Sequence, residues 1–238
     1  MIEISRRRLL SAVALGLTTA AGCGTGTYRG PQRSLTIASG PPRGFYLEFV
    51  ELLAAQIRDA EPRLRATAIS TDGSLENLQR LHDGQVDLAI VLADTAQATA
   101  TIGGPPPTPV PMRAIGRIYQ NYLHLVVLAA SPIHTLADLA GRTVSLNAYG
   151  SATKLTGKRL LEVAGLAPST PSAAVHVYHT PSDAIIALEA GRIDALLSSA
   201  GVPTPLLAEL SARRDIRLLP LDSALPAMRL VYGPVYQP

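Results

Sequence analysis

Apolar positions along this chain alternate between short strand-like runs and helical stripes. Leu35-Thr36-Ile37-Ala38 is a short apolar run, and Ser39-Gly40-Pro41-Pro42-Arg43-Gly44 breaks it. Beyond the break, Phe45, Tyr46, Phe49, Val50, Leu52, Leu53 and Ile57 recur at helical spacing, with Glu48, Glu51 and Arg58 on the opposite face. Residues 65–69 read as a second strand, 74–81 as a helix stopped by Gly84, and 86–92 as a strand apolar on both faces. Strand, helix, strand, helix, strand predicts βαβ units on a parallel sheet. Residues 103–111 hold five prolines and predict an extended loop.

The alternation resumes after that loop. Residues 114–119 and 123–129 read as strands, then 143–147, a helix over 151–164 ending at Gly165, and a strand at 175–178. Thr180-Pro181-Ser182-Asp183 opens another helix with a Thr cap, Pro at the first position and an acid at the third. Gly191 ends that helix and 193–197 follow as a strand. One internal echo joins the halves: Leu78-x-x-Leu81-x-x-Gly84-x-Val86-Asp87-Leu88 recurs 107 residues later as Ile185-x-x-Leu188-x-x-Gly191-x-Ile193-Asp194-Ala195. Each copy predicts a helix, a glycine stop, a tight turn and a buried strand.

The 238 residues are 47% hydrophobic and 16% charged, enough apolar surface to bury a core and too much for a disordered chain. A single Cys excludes a disulfide scaffold, and 19 Gly with 19 Pro exclude a coiled coil. The net charge of +3 owes most to Arg6, Arg7 and Arg8, and the remainder is close to neutral. A near-neutral body without a basic face argues against a nucleic-acid partner. Five histidines show no zinc spacing, so neither a metal nor another cofactor is expected.

Ser5-Arg6-Arg7-Arg8 precedes an apolar run over 9–21, too short to span a bilayer. A basic segment before a short apolar one reads as an export signal over 1–22, similar to the twin-arginine type. Ala20-Ala21-Gly22-Cys23 resembles a bacterial lipobox, which implies lipidation at Cys23, contact with the bilayer through that lipid, and a tether over 23–33. The body is then expected outside the cytoplasmic membrane, anchored to its outer face or periplasmic.

Three glycine-containing turns run from predicted strands into helices, at 40–44, 72–74 and 150–153. Such turns present backbone N–H groups and the positive end of the helix dipole, which suits an anion. They would lie at the carboxyl edges of the sheets, where α/β folds bind ligands. Gly44, Gly73, Ser74, Gly150, Ser151 and Thr153 are therefore candidate ligand contacts, with Ser74 and Ser151 as plain helix caps the alternative. Lys154 stands in a first helical turn, where a cation opposes the dipole unless an anion is bound beside it. Tyr46 and Tyr119 are candidate pocket walls, Arg43 a candidate partner for a second carboxylate, and Asp94 either a contact or a cap for the helix at Thr95.

Several blocks resemble one family in the right order. Ser131-Pro132-Ile133-His134-Thr135-Leu136-Ala137-Asp138-Leu139-Ala140-Gly141-Arg142-Thr143-Val144 is similar to a passage common in extracytoplasmic solute-binding proteins. Gly44-Phe45-Tyr46, Thr71-Asp72-Gly73-Ser74-Leu75-Glu76-Asn77-Leu78, Asn147-Ala148-Tyr149-Gly150-Ser151-Ala152-Thr153 and Ala200-Gly201-Val202-Pro203-Thr204-Pro205 resemble motifs of the TAXI receptors of TRAP transporters. The resemblance spans about residues 34–238. It implies an α/β, two-lobed fold of the type II periplasmic-binding-protein kind with a parallel-rich mixed sheet in each lobe. The lobes would be 34–120 and 121–225, with 226–238 starting a return crossing to the first. It further implies hinge closure on a small organic anion, glutamate-like or another carboxylate, delivered to membrane permease subunits of a TRAP transporter.

Leu92, Lys154 and Asn121 depart from the family pattern and leave the ligand open. Relatives also continue well beyond Tyr236-Gln237-Pro238 through a segment that completes the first lobe. Without that segment, an exposed strand edge, exposed apolar surface and low stability are expected in that lobe. Two other functions fit the compartment. One is a lipoprotein that senses a ligand without transport. The other is an exported serine acyl-transferase, because Ser151-Ala152-Thr153-Lys154 matches the S-x-x-K nucleophile motif. The partner motifs S-D-N and K-T-G are missing, and the βα-rich pattern does not suit that enzyme class, so no catalytic residue is expected.

Overall fold

The computed structural model describes residues 28–100 and 112–238. The export signal, the lipobox with Cys23, much of the tether and the proline loop at 103–111 lie outside the described residues. A first sheet holds β1 (Arg33–Ala38), β2 (Leu64–Ile69) and β3 (Leu88–Ala89) in the order β2-β1-β3, all parallel. Helix α1 (Phe45–Ala60) links β1 to β2, α2 (Ser74–His82) links β2 to β3, and α3 (Ala93–Ala100) follows. The stripe read from the sequence is the one α1 buries: Val50 and Ala54 pack on Ile37, Ala66 and Ile90.

A second sheet holds β4 (Tyr122–Leu128), β5 (Thr143–Ser145), β6 (Val175–Val177), β7 (Ala195–Ala200) and β8 (Ile216–Leu219). Their order is β6-β5-β7-β4-β8, with β4 antiparallel to β7 and β8 and the other pairs parallel. Helices α4 (Ala152–Val163), α5 (Pro181–Glu189), α6 (Pro205–Ser211) and α7 (Leu225–Tyr232) cover it. Adjacent residues face opposite sides: Leu125 and Leu197 enter one apolar cluster, Val126 and Leu196 the other. Burial on both faces explains why these strands read as continuous apolar runs.

The echo in the sequence is an echo in space. Phe45 and Ala152 open α1 and α4, Ser74 and Pro181 open α2 and α5, and Leu88 and Ala195 open β3 and β7, each pair 107 residues apart. Gly84 and Gly191 take the left-handed conformation, φ +69° and +67°, that lets the chain leave each helix. The two aspartates do the same work. Asp87 accepts from Thr36 N at 2.9 Å and donates its own N–H to Thr36 O at 3.0 Å. Asp194 repeats both bonds with Thr143 at 2.8 Å, Thr143 standing 107 residues after Thr36. The backbone N–H of Thr36 holds the Asp87 carboxyl below the usual carboxylate range.

Three features depart from the sequence reading. Residues 114–119 form no paired strand among the described residues, and Ile115 and Ile118 there are 85% and 47% exposed. Among the described residues the run at 86–92 pairs only at Leu88 and Ala89, both with β1. Helix α7 occupies much of the expected return crossing and packs on the second lobe through Met228, while Tyr236 beyond it reaches Asp94 of the first.

Candidate functional site

The turns after β1, β2 and β5 converge with the starts of α5 and α6 on a cleft between the two sheets, about 840 Å³ of space counting that open to solvent. Gly44, Tyr46, Gly73, Ser74, Ser151 and Thr153 line it, so the structure gathers six of the candidate contacts. It follows from topology: all the lining turns leave the carboxyl ends of parallel strands.

The turn at 72–74 is committed to holding the lobes together. The carbonyl of Gly150 accepts from Leu75 N at 3.0 Å and from Glu76 N at 3.2 Å, so the second lobe caps α2 of the first. A Cβ at Gly150 would lie 2.7 Å from Cβ of Asp72, which makes glycine the residue that permits this approach. Gly73, at φ +125°, faces Ser151 across the seam. Ser74 is 1% exposed, and its Oγ accepts from Leu92 N at 3.0 Å. Asn77, from the same motif, donates to the carbonyls of Ser39 and Ile90 at 2.7 Å and so fixes α2 to the ends of β1 and β3. The motif is therefore largely architectural.

The turn at 147–153 keeps its donors. Ser151 caps α4, its Oγ accepting from Thr153 N at 3.0 Å. Thr153 is 3% exposed and Asn147 8%. Asn147 Oδ1 accepts from Ala148 N at 2.7 Å, which leaves its amide N–H₂ and the Thr153 hydroxyl without a protein partner. Asn147 and Arg43 line the cleft, and among the described residues they are the only non-glycine residues at positive φ, 72° and 60°. Strained backbone of this kind concentrates at functional sites. Arg43 crosses the cleft mouth to Glu209 at 2.6 Å, an exposed pair worth under about 1 kcal/mol.

Four candidates lie off the cleft wall. Gly150 sits in the seam. Tyr119 packs edge-on against Phe45 at 4.6 Å and Tyr46 at 6.2 Å between ring centroids, its hydroxyl buried without a hydrogen bond. Burial pushes the Tyr46 and Tyr119 hydroxyls well above the usual tyrosine range, so both stay neutral. Asp94 is 5% exposed, and its Oδ2 accepts from Thr156 Oγ1 at 2.6 Å and from Tyr236 Oη at 2.8 Å. Arg159 completes that group by donating to Tyr236 Oη at 2.9 Å. Asp94 thus joins α3, α4 and the last residues into a strut between the lobes. Lys154 turns from the cleft and sets its ammonium 3.2 Å from the centroid of the Tyr149 ring, where the cation–π contact offsets its unfavourable place in the dipole. Burial lowers its pKa, with Lys158 adding to the shift. Ser151 and Lys154 make no hydrogen bond to each other, so the S-x-x-K spacing does not assemble a nucleophile and base.

Asn147, Phe45, Ser198 and the apolar wall of Ile185, Leu206 and Leu207 also line the cleft, beyond the contacts expected from the sequence. Asn147 stood inside a quoted motif, but its left-handed backbone has no local signature. The start of α5 carried one, because its Thr180-Pro181 opening is a glycine-free version of the other turns. Among the described residues no cluster of His, Cys, Asp and Glu could hold a metal ion.

The structure is similar to several solute-binding proteins. One is the periplasmic aliphatic sulphonate binding protein SsuA from Escherichia coli, at 22% identity and TM-score 0.52 over 80% of this chain and 57% of that one. A second is the alkanesulfonate-binding protein SsuA from Xanthomonas axonopodis pv. citri bound to MOPS, at 19% identity and TM-score 0.55 over 80% and 61%. A third is an ancestral arginine-binding protein bound to arginine, at 16% identity and TM-score 0.52 over 84% and 94%. The chain spans about three-fifths of the length of the two SsuA proteins. These likenesses show an α/β fold of the type II periplasmic-binding-protein kind. Residues 37–238 match one family along nearly the whole described body, and the chain belongs to the NMT1-like family.

Proposed function

We propose that this protein is an extracytoplasmic receptor that captures a small organic anion between its lobes and delivers it to a membrane permease. The observation that carries the reading is the turn at 147–153. The hydroxyl of Thr153 and the amide of Asn147, on residues almost wholly buried and both free of protein partners, stand at a helix N-terminus on a cleft walled from both lobes. The seam beside it, from Gly150 O to α2, supplies contacts that exist only when the lobes meet, which is what closure around a ligand needs. The sulfonate- and arginine-binding neighbours capture small molecules on this fold. The motifs that resemble TAXI receptors favour a TRAP-type permease, and the lipobox favours anchoring through Cys23 at the outer face of the membrane. Binding without covalent chemistry fits the separation of Ser151 from Lys154.

Thermal unfolding with and without a panel of amino acids, monocarboxylates and dicarboxylates tests this reading. A ligand of the folded state raises the midpoint by mass action, by about 2.7 kcal/mol of stability at a hundredfold excess over its Kd. A rise with at least one anion is expected. An unchanged midpoint across the panel would remove the receptor reading.

A further inference from the structure

Resting on that reading, we infer that the ligand carries one anionic head and an aliphatic body, and that dicarboxylates are poor ligands. The charged residues of the cleft wall are Arg43 and Asp72. Arg43 is already paired with Glu209 at 2.6 Å, on the far side of the mouth. Asp72 is exposed and lies along Gly150 at the seam, where its charge repels a second carboxylate. Lys154, the other cation near the site, is folded onto Tyr149. Among the described residues, then, no cation of the cleft wall is unpaired to meet a second anionic group.

One head group is provided for. Thr153 and Asn147 are more than nine-tenths buried residues whose hydroxyl and amide N–H₂ have no protein partner on the cleft beside the first turn of α4, so their donors suit a single carboxylate. Most of the remaining wall is hydrocarbon, from Ala184, Ile185, Leu196, Leu206 and Leu207; the hydroxyls of Ser199 and Thr204 in it are engaged by Asn121 and the Gly201 carbonyl, which leaves that of Ser198. Leu92 extends the hydrocarbon on the side of the first lobe. An amino or second carboxyl group placed against that wall would lose its water with only the Ser198 hydroxyl to replace it.

The test is calorimetric titration of the native chain with butyrate, hexanoate, 4-methyl-2-oxopentanoate, succinate, 2-oxoglutarate, glutamate and leucine. An aliphatic monocarboxylate is expected to bind at least tenfold tighter than succinate, 2-oxoglutarate or glutamate. Affinity is expected to rise by up to about fourfold for each added methylene. The Asn147→Asp variant keeps a residue that tolerates positive φ and sets a carboxylate against the head, so it is expected to lose tenfold or more in affinity with an unchanged melting temperature. Thr153→Val, of nearly equal volume, is expected to lose several-fold. Tighter binding of glutamate, a dicarboxylate or leucine would overturn the inference and leave the receptor standing. Equal affinity for butyrate and hexanoate would also overturn it. No binding by any of the seven would overturn both.

Discussion

Single side chains in this protein divide between those spent on the fold and those held in reserve. Ser74, Asn77 and Asp94 looked like candidates for chemistry or parts of a binding motif, and each is saturated by protein hydrogen bonds. Asn147 and Thr153 keep donors free of protein partners on the cleft, where a ligand can use them. Two histidines set an acid limit on the fold. His124 Nδ1 and His176 Nε2 are buried without partners, and burial lowers both pKa values, with Lys158 adding to the shift at His176. The folded state therefore refuses protons that the unfolded chain accepts below the ordinary histidine value. Stability is full above that value and falls as the pH drops below it toward the lowered folded-state values. Melting temperature measured against pH should show this decline, and the paired change His124→Gln, His176→Gln should flatten it. A wild-type curve flat over that range would contradict the assignment.

Elements are where the sequence was most legible. The starts of α1, α4 and α5 were marked by glycine, serine or threonine-proline punctuation, and the stops of α2 and α5 by glycines that the structure holds at positive φ. The 107-residue echo was legible because both copies solve one local problem, returning a helix to a strand beside Thr36 or Thr143. Elements α6, β8 and α7 were not foreseen; they are short, and packing on a completed sheet decides them rather than their own pattern. The stretch at 114–119 had strand composition and lacks a partner, which composition alone does not reveal.

Contacts between elements carry the seam. Gly150→Ala would drive a methyl into Asp72 and Glu76, 2.7 and 3.2 Å from their Cβ atoms. The lobes should then stand further apart. An increase in the radius of gyration by X-ray scattering and at least tenfold weaker ligand binding are expected, and unchanged scattering would count against the seam. The strut should behave as one unit. Tyr236→Phe removes two hydrogen bonds at Asp94 and Arg159 and should cost about 1–3 kcal/mol by denaturant titration. In combination with Asp94→Asn the two costs should fall short of their sum.

At the scale of the whole molecule the two lobes are unequal versions of one plan. The second has a five-stranded sheet with apolar clusters on both faces, and the first a three-stranded sheet whose cluster is Ile37, Val50, Ala54, Ala66 and Ile90. Less buried apolar surface means a lower free energy of local opening. Amides of β1 to β3 should exchange with deuterium well before those of β4, β5 and β7, and ligand should slow the first set more, since it borrows stability from the second lobe. Equal protection in both sheets would contradict this view. None of that inequality shows in local sequence pattern, because the two copies of the echo read alike; it arises from how many strands each sheet assembles.

The central claim is that the cleft between these lobes holds one small anion. Calorimetric titration of the native chain with hexanoate and the other members of the panel tests it most directly. One site per chain, a Kd near the micromolar range (about −8 kcal/mol) and a negative heat-capacity change from apolar burial are expected, with most of that affinity lost in Asn147→Asp. No binding heat from a folded chain, or affinity indifferent to Asn147→Asp, would contradict it.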